Sequence, residues 1–250
     1  MGVPDASTSL QREKKVVAWL DEVSKDASEI FLLGDVFDFW FDYNHVIPKG
    51  FVRLQGKIAE ICDRGIPVHM FPGNHDMWMN GYFEKELGVR FHKDFYRFSS
   101  NGKNFVLHHG DGIGPGDHGY KFIKKIFTNR FLQRLFRWFH PDLGVGIANF
   151  WSRQSSKKTR AKDAIFKGQE NEWLVSFSND LIKEEEVDYI VCGHRHLPLD
   201  ILLNNGTSRY INLGDWLQHY TYAKFDGTDL KLYRFNGVGK HEIATNLPSG

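Results

Sequence analysis

The sequence predicts a layered α/β protein, and three observations lead to that fold class. Strand-like apolar runs alternate with amphipathic helical patterns in the first part of the chain. A tail of short strand-like runs, separated by Asn-Gly and Asp-Gly turns, follows from residue 199. A basic, aromatic segment interrupts the alternation. We therefore expect a β-sandwich flanked by helices, formed by one domain of residues 1–250 with a helical cap insert at 119–165.

The individual elements follow from the period of the apolar residues and from turn signals. Outside the insert, helices are predicted at residues 9–23, 48–64, 79–87 and 170–185. Strands are predicted at residues 30–33, 66–71, 91–98, 104–107, 189–192, 201–203, 210–213, 220–225 and 230–235.

Charge is unevenly distributed, although the net charge is only +1. Residues 119–162 contain eleven Lys and Arg and a single acidic residue, so this segment carries +10 and the rest of the chain −9. Only two cysteines occur, Cys62 and Cys192, both in apolar surroundings, which is typical of a reducing compartment. Because no apolar run is long enough to span a membrane, we expect a cytoplasmic protein, at most peripheral to a membrane.

Four of the strand-like runs end in polar residues that can carry chemistry. Because strand ends at one edge of a sheet commonly build a site, we predict that all four meet at one edge of one sheet. The four motifs are Gly34-Asp35, Gly73-Asn74-His75-Asp76, His108-His109-Gly110-Asp111 and Gly193-His194-Arg195-His196.

These residue types are good ligands for divalent ions such as Mn²⁺, Fe²⁺ or Zn²⁺. A shared carboxylate can hold two ions roughly 3.5–4 Å apart, the spacing of two-metal hydrolases. We assign Asp35 as that bridge because it alone directly follows a strand and a glycine. Asn74, His109 and His194 are predicted to bind one ion. His196 is predicted to bind the other, since side chains two apart share one face of an extended segment.

Other residues of the motifs receive different roles. His75 is predicted to donate a proton or a hydrogen bond to the phosphoryl or leaving-group oxygen. His108 is the alternative to His109, which we prefer because it directly precedes Gly110-Asp111. Asp38 and Asp76 are interpreted as acids that support their turns, and Cys192 as a buried, small hydrophobic residue.

The four motifs, in this order from Gly34 to His196, resemble the calcineurin-like metallophosphoesterase superfamily. More narrowly, the chain is similar to the UDP-2,3-diacylglucosamine hydrolases of lipid A biosynthesis. That similarity lies in residues 34–40, in Asp117 eight residues after His109, in the basic insert and in residues 212–216. It implies two divalent ions, predicted as manganese, and cleavage of a UDP-sugar pyrophosphate at the α-phosphate. The products would be an acylated sugar 1-phosphate and UMP, formed at the inner membrane of a Gram-negative bacterium.

The chain departs from that family at its beginning. The family opens with a strand ending in Asp-x-His, which ligates the first metal, and no such motif precedes Asp35. We therefore expect a shortened amino terminus and a weakened first metal site. The alternatives are another phosphoesterase, acting on nucleotides or phosphoproteins, and a metal-depleted homologue that binds lipid without activity.

Three interpretations of the insert are open. Its apolar residues between 120 and 139 follow helical spacing with Lys and Arg between them, which is typical of an ordinary helix pair. It also suits a basic cap that contacts an anionic membrane through residues 119–162. Nucleic acid is the third possibility, disfavoured by the resemblance. The resemblance further implies that Asp117, Ser155 and Lys162 bind substrate, together with Asn74, His75 and His194.

Overall fold

The computed structural model describes residues 6–113, 118–148, 150, 166 and 168–244. It confirms a mixed α/β fold with sheets and flanking helices. The chain divides into two compact units. The first comprises Met1–Lys93 and Asp117–Thr159, and the second comprises Asp94–Gly116 and Arg160–Gly250. The prediction of a single domain with an insert at 119–165 stays a prediction.

Within the described residues, the first unit contains a three-stranded sheet and six helical segments. Its strands are β1 (Ile30–Leu33), β2 (Val68–Phe71) and β3 (Arg90–Phe91), in the order β1-β2-β3 with parallel pairing. Its helices are α1 (Ala6–Val23), α2 (Val52–Asp63), α3 (Tyr82–Leu87), α4 (His118–Thr128), α5 (Arg130–Phe136) and α6 (residues 141–148).

The first two helices of the chain pack together, each through buried apolar residues. Leu20 of α1 and Ile58 of α2 are fully buried. Glu13 of α1 also accepts hydrogen bonds from the backbone N–H groups of Arg53 and Leu54, at 2.9 and 3.3 Å. A carboxylate placed there satisfies donors at the first turn of α2 and complements the helix dipole.

The second unit contains two sheets. Its strands are β4 (Tyr96–Ser100), β5 (Lys103–His108), β6 (Tyr189–Cys192), β7 (Pro198–Leu202), β8 (Arg209–Leu213), β9 (Thr221–Phe225), β10 (Leu230–Gly237) and β11 (Lys240–Ile243). The larger sheet has the order β4-β5-β6-β8-β7, and the smaller one is the antiparallel set β11-β10-β9. In the larger sheet β5, β6 and β8 are parallel, while β4 and β7 are antiparallel edge strands.

Helix α7 (Trp173–Glu184) covers the larger sheet of the second unit and follows a short 3₁₀ turn at Gln169–Asn171. Its buried residues Leu174 and Val175 pack against Ile190 of β6 and Tyr210 of β8. This packing fixes the start of α7 relative to the ends of the parallel strands. No helix within the described ranges is long and apolar enough to cross a membrane.

Candidate metal centre

The first unit brings Asp35 and His75 together. Asp35 follows β1 and His75 follows β2, and these strands are parallel neighbours with Leu33 opposite Phe71. Their carboxyl ends therefore lie at one edge of the sheet. The backbone N–H of His75 donates a hydrogen bond to Oδ1 of Asp35 at 2.9 Å. Asn74 and His75 are both half-buried, so their side chains are accessible to a ligand.

The turn after β2 approaches Asp35 so closely that only glycine fits. A Cβ placed on Gly73 would lie 2.1 Å from Oδ1 of Asp35 and 2.4 Å from its backbone nitrogen. Real Cβ atoms do not come so near. The missing side chain thus lets the two turns meet and brings the carboxylate of Asp35 beside the segment that carries Asn74.

The buried side chain of Asp76 links the same two turns by hydrogen bonds. Its carboxylate is fully buried and accepts hydrogen bonds from the backbone N–H groups of Gly73, Asp35 and Phe37, at 2.6, 3.2 and 3.1 Å. Three backbone donors on one buried carboxylate hold the two turns together. It supports the interpretation of Asp76 as an acid that stabilises its turn.

The second unit groups three predicted histidines. His109 follows β5, while His194 and His196 follow β6, and the two parallel strands pair with His108 opposite Cys192. The N–H of Gly193 donates to the carbonyl of His109 at 2.9 Å. The rings of His109 and His194 meet edge to face with centroids 5.3 Å apart.

His108 faces a different environment. Its Nδ1 accepts a hydrogen bond from the N–H of Gly110 at 2.9 Å, and its ring stacks on Phe95 at 4.4 Å. The ring of His108 is therefore packed in the second unit's interior. His108 thus has contacts of its own within the second unit, and His109 stays the predicted ligand of that motif. Burial also raises the pKa of the Cys192 thiol to about 12, which agrees with its interpretation as a hydrophobic residue.

Three of the five predicted metal ligands have left-handed backbone conformations. The φ angles of Asp35, His194 and His196 are 51°, 62° and 45°. Such a conformation costs a non-glycine residue on the order of 1–3 kcal/mol and persists only where the surroundings impose it. Strain of this kind concentrates at functional sites, so the concentration at these residues is consistent with ligand binding.

Asp215 lies beside His196. Its Oδ2 is 3.8 Å from Nδ1 of His196. Its Oδ1 accepts three backbone hydrogen bonds, from Leu217, Gln218 and His219, at 3.1, 2.8 and 3.0 Å. These bonds fix the carboxylate. Asp215 thus provides a fixed negative charge near one nitrogen of the His196 ring.

The donor set fits divalent ions. A carboxylate, an amide oxygen and neutral imidazoles suit Mn²⁺, Fe²⁺ and Zn²⁺, and a fixed acid near the imidazole of a ligand is a recurrent outer contact. The close approach of the Gly73 backbone to Asp35 and the strained conformations of Asp35, His194 and His196 agree with a metal-binding role.

The prediction that the four strand ends share one sheet is wrong. Asp35 and His75 follow strands of the sheet in the first unit, whereas His109 and His194 follow strands of the larger sheet in the second. Within each sheet, the two strands concerned are parallel neighbours. The predicted substrate residues Asp117, Ser155 and Lys162 lie outside the described residues.

The helices α4 to α6 pack on an aromatic cluster of the first unit. Trp78 donates from Nε1 to the carbonyl of Phe127 at 2.6 Å, and Phe41 and Tyr43 contact the ring of Phe136. Beyond these contacts the segment exposes many large apolar side chains. They are Ile126, Phe127, Phe131, Leu132, Leu135, Trp138, Phe139, Leu143, Ile147 and Phe150.

The profile of the calcineurin-like phosphoesterase family matches residues 11–198. The chain belongs to this family, and it is accordingly a hydrolase of a class that uses divalent metal ions.

Two curated relatives of this chain carry the name of a particular enzyme. The UDP-2,3-diacylglucosamine hydrolase of Porphyromonas gingivalis is 37% identical over 88% of this chain and 88% of its own length. The enzyme of the same name from Haemophilus influenzae is 25% identical over 82% of this chain and 83% of its own. Among solved structures, GAP50 of Plasmodium covers 93% of this chain and 78% of its own at 13% identity, with a TM-score of 0.41.

Proposed function

We propose that this hydrolase cleaves the pyrophosphate of UDP-2,3-diacylglucosamine, releasing 2,3-diacylglucosamine 1-phosphate and UMP in lipid A biosynthesis. The observation that carries the proposal is the 37% identity to a relative of that name across nearly the whole of both chains. Relatedness over 88% of each chain extends well beyond the four short motifs, so it favours a shared substrate over shared chemistry alone.

Five residues are proposed as ligands of two divalent ions, which we propose to be manganese. Asp35 would be shared by both ions, Asn74, His109 and His194 would hold one of them, and His196 would hold the other. Bound there, the ions supply positive charge for the phosphoryl oxygens and lower the pKa of water. Two observations support these ligands: the left-handed conformations and the close approach of Gly73 to Asp35. Strained backbone is costly and is retained mainly at functional sites.

In the proposed reaction a water oxygen forms a bond to the α-phosphorus, and the bond from that phosphorus to the bridging oxygen breaks. The sugar 1-phosphate leaves with that oxygen, UMP retains the hydroxyl, and a proton passes to solvent. His75 donates a hydrogen bond to the leaving oxygen. The bond from its own N–H to Asp35 keeps the His75 backbone in place during this step.

Substrate contacts are proposed at Asp117, Ser155 and Lys162, in addition to Asn74, His75 and His194. The exposed apolar side chains of α4 to α6 belong to the basic segment 119–162, which is proposed to contact an anionic membrane surface. This arrangement suits a cytoplasmic enzyme, peripheral to the inner membrane of a Gram-negative bacterium, that acts on a lipid-linked substrate.

The test compares UMP release from UDP-2,3-diacylglucosamine with hydrolysis of an aryl phosphate, using the manganese-loaded chain. We expect the lipid substrate to have the higher kcat/KM.

His75→Ala should lower kcat on the order of 100-fold with bound manganese retained, whereas Asp35→Ala should lose both activity and metal. His45→Ala, at an exposed site, is the control and should match the wild type. A clear preference for the aryl ester would refute the substrate, and absence of any activity would refute the enzyme assignment.

A further inference from the structure

A buried ion pair lies directly beside two of the proposed metal ligands. Arg195, between His194 and His196, donates from Nε and Nη2 to the two carboxylate oxygens of Glu172, both at 2.9 Å. Arg195 is 8% exposed and Glu172 3%. Two parallel bonds between a guanidinium and a carboxylate fix orientation as well as distance, which a single contact does not.

Glu172 is held in place by the fold of the second unit. It is the N-cap residue of α7, and its carbonyl accepts hydrogen bonds from the N–H groups of Val175 and Ser176 at 2.9 and 3.0 Å. Leu174 and Val175, which follow it, are part of the buried core. The packed start of α7 therefore fixes the position of the Glu172 carboxylate, and the paired hydrogen bonds hold Arg195 against it.

The loop that carries Arg195 needs such a support. The N–H of Arg195 donates to the carbonyl of Gly193 at 2.7 Å, which closes a γ-turn with His194 at its centre. The φ of 62° at His194 corresponds to the rare, strained form of that turn, and His196 is left-handed as well. Arg195 thus stands between two strained residues and anchors both through its side chain.

We infer that Arg195 and Glu172 are positioning residues that set the orientation of the His194 and His196 imidazoles toward metal. The pair is proposed to act through the loop and not by direct contact with metal or substrate. This inference rests on the proposed metal centre, and it assigns a function to the residue between the two histidines, for which the motif alone offers none. Lysine should not replace Arg195, because an ammonium group cannot form the paired bonds.

The main test is the double variant Arg195→Met with Glu172→Leu, which removes both charges and leaves no lone buried charge. Titration with Co²⁺, followed by visible absorption, reports both affinity and ligand geometry. We expect the dissociation constant of Co²⁺ to rise roughly 10- to 100-fold and the absorption band to change shape. The melting temperature of the metal-free chain should stay near that of the wild type.

The matched control is Arg97→Met with Glu185→Leu. Arg97 and Glu185 form the same side-on pair, with Nε and Nη2 each 2.7 Å from a carboxylate oxygen, on the exposed surface of the second unit. This control should leave Co²⁺ affinity and the absorption band unchanged. A decrease in Co²⁺ affinity equal to that of the main variant would mean that loss of any such pair weakens binding, and would overturn the inference.

A second variant guards against misfolding of the first. Arg195→Lys keeps a positive charge beside Glu172 but loses the paired geometry, and we expect about 10-fold weaker Co²⁺ binding. Wild-type affinity and an unchanged band in this variant or in the double variant would overturn the positioning role. A wild-type chain that gives no Co²⁺ band would instead refute the metal centre itself, and this role with it.

Discussion

Oδ1 of Asp76 accepts a hydrogen bond from the backbone N–H of Asp35, 41 positions earlier in the chain. The same carboxylate accepts from Gly73 and Phe37, so the turns after β1 and β2 share one buried acid. Asp76→Ala would leave three backbone donors without this acceptor. We expect the free energy of unfolding, measured with urea, to fall by about 3 kcal/mol.

The control for this change is Asp226→Ala. The carboxylate of Asp226 also accepts three hydrogen bonds, from the N–H and hydroxyl of Thr228 and the N–H of Asp229, but in an exposed turn. Water can replace an exposed acceptor, so the loss there should be clearly smaller. Equal losses for the two variants would contradict the central role of Asp76.

Gly73→Ala should damage the turn by a steric route. The added Cβ would overlap with the side chain and backbone nitrogen of Asp35, and backbone cannot move as freely as a side-chain end. We expect a loss of about 2 kcal/mol of stability and much weaker manganese binding, measured by urea unfolding and by metal titration. Gly56→Ala in α2, where a Cβ meets nothing within 4 Å, should instead stabilise the chain by roughly 0.5–1 kcal/mol. A harmless Gly73→Ala would contradict the close approach.

His69 on β2 should make stability depend on pH. It is 1% exposed, and burial, with smaller effects from His92 and Arg90, lowers its pKa from 6.5 to about 4, although Glu29 lies 3.2 Å from Nε2. Above pH 6.5 neither state binds the proton. As the pH falls toward 4, the unfolded chain binds a proton that the folded chain excludes, so stability decreases by about 1.4 kcal/mol per pH unit.

The measurement is urea unfolding at about pH 7 and about pH 5, where the wild type should lose roughly 2 kcal/mol more than His69→Gln does. His140→Gln, with an exposed ring, is the control and should lose as much as the wild type. If His69→Gln shows the full loss, the acid sensitivity has another origin.

Trp138 should contribute to membrane binding. It is 88% exposed, within the apolar surface of α4 to α6. We expect Trp138→Ser to lower the affinity for phosphatidylglycerol vesicles about 10-fold, measured by co-sedimentation. Added salt should lower the affinity further because the segment is basic. Val52→Ser replaces a 73% exposed residue on α2 and should have no effect. Equal binding by all three chains would contradict the membrane contact.

Two short apolar strands were predicted to the residue. Residues 30–33 and 189–192 were predicted as strands, and both occur with those bounds. The start of α2 was predicted at residue 48 but lies at Val52, because Gly50 and Phe51 have φ angles of 112° and 54° and cannot extend the helix. Strand β11 was not predicted, because its Lys-His-Glu sequence at an exposed edge lacks an apolar pattern.

The residues that could bind metal were visible in the sequence because each follows an apolar run. Their supports were not. Glu172 is 23 positions from Arg195, and nothing in a linear pattern selects it from 31 acidic residues. The charged Arg195 inside a buried loop was the one available signal, since such a charge requires a partner. The partition of the strand ends between two sheets also depends on long-range pairing, which short motifs do not encode.

The chain passes between the two units three times, after Lys93, Gly116 and Thr159, so neither unit is a continuous stretch. During synthesis on the ribosome, Phe41 and Trp78 are therefore made well before the last helices of the first unit, and the unit cannot complete its fold until those helices follow. Phe136, which covers that aromatic cluster, emerges 58 positions after Trp78. Until then the nascent chain lacks the cover that Phe136 provides, and a fragment that ends before Phe136 would expose this apolar cluster to aggregation.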